Sequence, residues 1–368
     1  MGSVLLVPSG DYLFHGIWPS IEGEFESKKI ILYNRYPHYS GENFVPVGYG
    51  DKEICLHDKY NHIFNQLLLQ KNYLKKLVFF AKSFSYLSDY RKDLNLILES
   101  ESIDAIVLFT EFSIPSVIIK QWADVHNKPI WFVQDSLLDN TISKRILRFR
   151  VSTYKIFNFL LRQKFFPTAY NIGSEKNYSR LYYWGPAFAS NNGINSVSKK
   201  VCYYKFQLFG KSEIVPNQLA IVLPIMAEVP ISIGYLNEIL VLFLNSSNYS
   251  RFIIKFHPRE HKDVRQKFLD SLCIKNFSVV TDDSEIFNSG IVLGAESMLS
   301  VKCVLNSQRI ILINNLKLDR IFEHEVFFKG LVLGNYKDWG AYLEEFTKYT
   351  STYPYLRRNF LDNYFVGY

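Results

Sequence analysis

The chain has little that would cross-link it, thread it through a membrane or export it. Its four cysteines, Cys55, Cys202, Cys273 and Cys303, are scattered with no CxxC spacing. That argues against a zinc site and against a disulfide framework. No apolar run reaches the roughly 18–20 residues that span a bilayer. The first residues, Met-Gly-Ser-Val-Leu-Leu-Val-Pro-Ser-Gly, have neither the positive start nor the cleavage site of a secretory leader, so a cytoplasmic location is the expectation. GxSxG, the P-loop and GxGxxG are all missing, which leaves a hydrolase triad without its nucleophile elbow and removes the simplest phosphate cradles. There is no long Lys/Arg stripe. The richest basic stretch runs only from Lys144 to Arg150, so no nucleic-acid partner is expected.

What is present is size and apolar content. The 368 residues, 48% of them hydrophobic, suffice for two cores. A net charge of +7 and a pI near 8.9 suit an anionic substrate or peripheral contact with an anionic membrane face. They suit an ordinary solvated surface equally well.

Apolar runs closed by turn residues alternate with helical spacing along most of the chain. Val4–Val7 reads as a buried strand closed by Pro8-Ser9-Gly10, and Ile30–Tyr33 as a second. Apolar positions between about 61 and 98 recur at helical spacing. Ile103–Phe109, a helix from Ser116 to His126 and the strand Pro129–Val133 form a βαβ unit, the building block of a parallel sheet. Residues 141–180 read as helical and basic-aromatic. The polar stretch Asn191–Lys199 leads to a lobe boundary, giving lobes 1–205 and 206–338, with 339–368 expected to be helices packed back on the first lobe. In the second half, strands are expected at Leu219–Leu223, Phe252–Phe256, Ser278–Val280, Gly290–Gly294 and Arg309–Ile313. Helices are expected over Ile233–Leu244, His261–Leu272 and up to Leu305. This alternation means a doubly wound α/β sheet in each half.

Ligands of such sheets bind beyond the carboxyl ends of the strands. Four consecutive strand ends of the second half carry polar residues: Met226-Ala227-Glu228, His257-Pro258-Arg259-Glu260, Thr281-Asp282-Asp283 and Glu296-Ser297. In Lys255-Phe256-His257-Pro258, alternation sets Lys255 and His257 on one face and Phe256 on the other. The proline biases His257 toward extended geometry. A histidine there can stabilise a departing phosphate, or it can serve only the following helix. Ser297 and Ser300 open a helix directly after Gly294, where backbone N–H groups hold an anion or the serine acts as a plain cap. Thr281-Asp282-Asp283 reads as a helix start more than as a metal-binding pair. No metal and no other cofactor is expected. In the first half, Asp135 follows the strand ending at Val133 and is the candidate general base. Glu111, one strand away, is the reserve.

These residues resemble bacterial glycosyltransferases of the GT-B fold, closest to sialyltransferases and related capsule or lipopolysaccharide transferases that use CMP-linked nonulosonic acids. Lys255-Phe256-His257-Pro258 matches the family's His-Pro element. Gly294-Ala295-Glu296-Ser297-Met298-Leu299-Ser300 resembles its serine element, and Leu223-Pro224-Ile225-Met226-Ala227-Glu228 the loop that opens the second lobe. Gln134-Asp135-Ser136 departs from the family's acidic-acidic-Gly motif and keeps one carboxylate. The resemblance implies two Rossmann-like lobes whose parallel sheets face a cleft. It also implies metal-independent, inverting transfer from a nucleotide-sugar donor, CMP-linked by preference, to an oligosaccharide or glycolipid acceptor. Lys255, His257, Pro258, Arg259, Met226, Glu228, Glu296, Ser297 and Ser300 would hold the nucleotide, with His257 and Asp135 (or Glu111) catalytic. The same fold serves CMP-Kdo, CDP-glycerol and UDP- or GDP-sugar donors, and a non-catalytic glycan-assembly protein would keep the lobes with a degenerate site.

Overall fold

A computed structural model describes residues 2–8, 17, 21–24, 26–33, 50–55, 84–109, 113–134, 144–160, 162–165, 178–186, 189, 200–203, 205, 213–224, 226, 231–245, 249–257, 260–294, 298–306, 308–312, 332–333, 351–355, 357–362 and 364–365. The chain divides into two compact units, Met1–Gln207 and Leu208–Tyr368.

The first unit is built on a seven-stranded sheet. Its strands are β1 (Ser3–Val7), β2 (Lys28–Tyr33), β3 (Lys52–Cys55), β4 (Ile103–Leu108), β5 (Ile130–Val133), β6 (Tyr178–Tyr183) and β7 (Lys200–Tyr203). They lie in the order β3-β2-β1-β4-β5-β6-β7, and every pair is parallel. Leu5, Leu6, Ile106 and Val107 are fully buried at its centre, which is why Val4–Val7 and Ala105–Leu108 read as unbroken apolar runs. Three helices are described: α1 (Phe84–Ser100), α2 (Ile114–Val125) and α3 (Lys144–Leu160). Helix α1 buries Leu87, Tyr90, Leu94 and Leu98, one stripe at helical spacing. Helix α2 begins where the Ser113 hydroxyl accepts from the Ser116 N–H at 3.1 Å, with Pro115 in the first turn.

Three strands of this sheet, β3, β6 and β7, differ from expectation. The stretch read as helical to residue 180 contains β6, because α3 stops at Leu160. Arg162 turns left-handed at φ 49°, and the Gln163 N–H donates back to the Asn158 carbonyl at 3.1 Å, closing the helix. The aromatic run Tyr178–Tyr183 then pairs with β5. Strand β7 follows on the outer side of β6, from a segment too short and polar to announce itself.

The second unit holds β8 (Val215–Val222), β9 (Arg251–Lys255), β10 (Phe277–Val279), β11 (Ser289–Gly294), β12 (Arg309–Leu312) and β13 (Val332–Leu333). Their order is β10-β9-β8-β11-β12-β13, again all parallel. Counted from its own first strand, each sheet runs 3-2-1-4-5-6, the doubly wound order, with a seventh strand added in the first. The two sheets share it without a sequence repeat. The helices are α4 (Ile233–Asn245), α5 (Lys262–Ser271), α6 (Asp283–Phe287) and α7 (Met298–Leu305). Residues 351–355 and 357–362 are helical. The expectation set the terminal segment against the first lobe. Its described bonds run to the second: Arg357 donates to the Val304 and Leu305 carbonyls at 2.8 and 2.6 Å, and the Tyr353 hydroxyl to the Gln308 carbonyl. The reason is chemical: the last carbonyls of α7 lack helical partners, and a guanidinium supplies them.

Candidate functional site

The strand order of the second lobe reverses between β8 and β11, which puts the ligand position at the carboxyl ends of those strands. The residues found there form two sets of polar ties. Glu260, buried just after β9, accepts the Met226 N–H at 2.7 Å from the loop that follows β8. Its other oxygen accepts the His261 N–H at 3.1 Å. At the end of β9, the Lys255 ammonium donates to the Thr281 carbonyl and pairs with Asp283 at 2.9 Å, both beyond β10. The second oxygen of Asp283 lies 3.6 Å from the Lys302 ammonium on α7, the helix that follows β11. Four consecutive strand ends are thereby joined through carboxylates and ammoniums.

Lys255 and Lys302 are both buried and share the carboxylate of Asp283, and with the buried Glu260 the strand ends carry two ammoniums and two carboxylates. A buried ammonium is tolerated when paired and hydrogen bonded.

His257 is half-buried at the start of the turn after β9. Its carbonyl accepts from the Glu260 N–H at 2.9 Å and from Arg265 at 3.4 Å, so its backbone is held from both sides. Phe256 points the other way, packing edge-on against Phe268 at 5.7 Å with the Arg265 guanidinium 5.6 Å from its ring. Ser300 is buried, and its hydroxyl would stand 2.9 Å from a Cβ placed on Gly294. The glycine lets the first turn of α7 close onto β11. Asp282 caps α6, accepting the Ser284 N–H at 2.9 Å, and that bond draws its carboxyl below the usual range. The capping reading of this stretch therefore holds for Asp282, while Asp283 belongs to the lysine pair. Burial pushes the Cys303 thiol well up, which makes it inert. Among the described residues, no group of three or more His, Cys, Asp or Glu gathers to hold a metal.

Of the site residues named from sequence, Met226, Lys255, His257 and Ser300 are among the described residues: Met226 follows β8, Lys255 and His257 end β9, and Ser300 lies in the first turn of α7 after β11. Pro258, Arg259, Glu228, Glu296, Ser297, Asp135 and Glu111 lie outside the described residues. Glu260 and Lys302 were not singled out as site residues. Lys302 had a signal, as the one charged residue in the otherwise apolar run of α7. Glu260 had none beyond its place in the loop. In the first lobe, Gln134 is fully buried, and its side-chain oxygen accepts the Trp184 N–H at 3.1 Å. Its own N–H donates to the Tyr182 carbonyl at 2.9 Å. An amide stands where the resembled motif has an acid because it pins β5 to the end of β6, just before Asp135.

No family model and no curated protein matches the sequence. Solved structures do match. The S. aureus MnaA–UDP structure aligns with 100% of this chain and 93% of its own, at 10% identity and a TM-score of 0.55. UDP-GlcNAc 2-epimerase from Neisseria meningitidis, bound to UDP-GlcNAc, aligns over 100% and 96% at 12% identity and a TM-score of 0.53. The glycotransferase of kitacinnamycin aligns over 97% and 94% at 10% identity and a TM-score of 0.54. At such identities the likeness is one of fold, and it makes this chain a two-lobed α/β protein of the GT-B type.

Proposed function

We propose that the chain transfers a sugar from a nucleotide-activated donor, with the donor's nucleotide at the carboxyl edge of the second lobe's sheet. The observation that carries this is the pair of polar ties across the strand ends, Met226–Glu260 and Lys255–Asp283–Lys302, at the switch point of the strand order. Two similar structures carry UDP and UDP-GlcNAc, and a third is a glycotransferase. In this reading Lys255 and Glu260 act mainly as positioning residues, because their polar atoms are already engaged. His257, Ser300 and the start of α7 address the donor phosphate, with Pro258, Arg259, Glu228, Glu296 and Ser297 completing the pocket.

The proposed reaction begins when Asp135, or Glu111 in its place, takes the proton of an acceptor hydroxyl. The hydroxyl oxygen forms a bond to the anomeric carbon with inversion. The bond to the nucleotide phosphate breaks, and its electron pair leaves on that phosphate, where His257 supplies a hydrogen bond or a proton. No metal enters. The donor proposed from the sequence resemblance is a CMP-linked nonulosonic acid, and the acceptor a surface glycan. A second reading, an epimerase acting on the nucleotide sugar itself, is favoured by the likeness to a UDP-GlcNAc 2-epimerase.

Thermal melting with CMP, CDP, UDP and GDP tests the pocket and names the base. A nucleotide at one hundred times its Kd stabilises the folded state by about 2.7 kcal/mol, and no shift with any of them overturns the reading. With the donor so found, His257→Ala is expected to lower kcat/KM about a hundredfold with an unchanged Tm. Full activity in that variant removes His257 from the mechanism. Conversion of UDP-GlcNAc to its epimer without acceptor, followed by NMR, would select the second reading.

A further inference from the structure

Seven basic residues, Lys144, Arg145, Arg148, Arg150, Lys155, Arg162 and Lys164, lie between Asn140 and Ser174, and no Asp or Glu lies among them. The whole chain has 42 Lys and Arg against 35 Asp and Glu. The surplus of seven is thus this segment's alone, and the rest of the chain is balanced at 35 of each. Three of the seven, Lys155, Arg162 and Lys164, are exposed beside a set of exposed apolar side chains. Ile156, Phe159 and Leu160, on the last turns of α3, are 57%, 80% and 63% exposed. With Ser152 and Lys155 they form one stripe at helical spacing, while Phe157 and Asn158 turn inward. Val125, at the end of α2, is 77% exposed and borders the same hollow as Phe159.

That hollow has a volume of about 570 Å3. Val125 and Phe159 give it an apolar side, and Arg91, Arg162 and Lys164 a basic one, with Asp124 as its acid. The Arg91 guanidinium lies 4.5 Å over the Phe165 ring and donates to the Lys164 carbonyl at 2.5 Å, while its buried Nε has no partner. Crossover helices run antiparallel to the strands they follow, so the ends of α2 and α3 lie at the amino edge of the sheet. The patch therefore leaves the carboxyl-end loops of its own lobe uncovered.

We propose that this face docks on an anionic lipid membrane. Charge complementarity selects the partner's sign: clustered Lys and Arg near a negatively charged leaflet each add to the attraction. The exposed Phe159, Leu160 and Ile156 select lipid over a soluble polyanion, because apolar side chains gain by entering the headgroup boundary and gain nothing against phosphates in water. A second copy of the chain is a poor occupant. A two-fold interface would set Arg91, Lys155, Arg162 and Lys164 against themselves. Among the described residues no helix is long and apolar enough to cross a membrane, so the contact is with the surface. This inference does not depend on the sugar-transfer reading.

Flotation of the full chain with phosphatidylcholine vesicles, with and without phosphatidylglycerol, tests it. The chain is expected to float with phosphatidylglycerol vesicles at low salt and to be released as salt rises. Each charge neutralised, in Lys155→Gln and Arg162→Gln, is expected to weaken partitioning about fivefold. Phe159→Ser with Leu160→Ser is expected to weaken it tenfold or more at an unchanged Tm, since both side chains are already in water. Equal partitioning onto neutral and anionic vesicles, no flotation with either, or a serine double variant that floats like the parent overturns the proposal. Retention on heparin without flotation assigns the patch to a soluble polyanion and overturns it too.

Discussion

Among the described residues, the first lobe buries only neutral polar side chains, Ser3, Ser113, Ser116, Gln134 and Asn158. The second buries Lys255, Glu260 and Lys302 beside its neutral ones. The two sheets have the same strand order, so topology does not impose this difference. The first lobe keeps its ion pairs where water reaches them. Arg180 meets Glu24 at 3.0 Å while lying over the Trp131 ring at 4.5 Å, and the Tyr182 hydroxyl donates to the same carboxylate at 2.5 Å. The second lobe takes ionic groups inside, on the edge where a ligand of this fold arrives. Burying charge costs stability unless the partners are complete, so the lobe that does it has the more to lose from a single change.

Removing the shared carboxylate is the strongest way to break that contrast. Asp283→Ala leaves two buried ammoniums facing each other and is expected to cost about 3 kcal/mol in urea unfolding. Adding Lys302→Met should restore part of it, and a cost under about 0.5 kcal/mol would mean that water already screens the pair. Next in size, Glu260→Ala strips the Met226 N–H of its acceptor, for about 2 kcal/mol. It should also weaken nucleotide binding by loosening the loop after β8, so intact binding in that variant would separate the loop from the site. The corresponding change in the first lobe, Glu24→Gln, is expected to cost no more than about 1 kcal/mol because its pair is solvent-exposed. A larger loss would make the lobes alike. The smallest effect belongs to Asp282. Its folded carboxyl sits below the ordinary value of 3.8, so its contribution is present above that pH and is lost as pH falls through the lower folded value. Asp282→Asn keeps an acceptor for Ser284 and should flatten the acid side of the melting curve, leaving pH 7 nearly unchanged.

The central strands were legible because burial on both faces writes itself as continuous apolar runs, as in Ala105–Leu108 and Ser289–Gly294. Edge strands β3, β7 and β13 were not, since short polar segments such as Lys52–Cys55 carry no such mark. The four strand-end loops were legible as places, from the turn residues that close each run. Which polar atoms meet there was not. Glu260 finds Met226 across 34 positions of sequence, and Lys255, Asp283 and Lys302 come from three separate elements. Sequence spacing records local neighbours, and these contacts are made only when the sheet forms. The glutamine at 134 illustrates the converse. Its departure from the resembled motif was visible, but the group it holds, the Trp184 N–H, lies just past another strand.

The segregation of charge onto one stretch of the first lobe has a consequence beyond adhesion. A body whose surplus charge sits toward one flank experiences a torque in an external field, so a charged surface turns it before touching it. Orientation would then be decided during approach, within a Debye length, and raising the ionic strength would randomise the angle of arrival as well as slow the encounter.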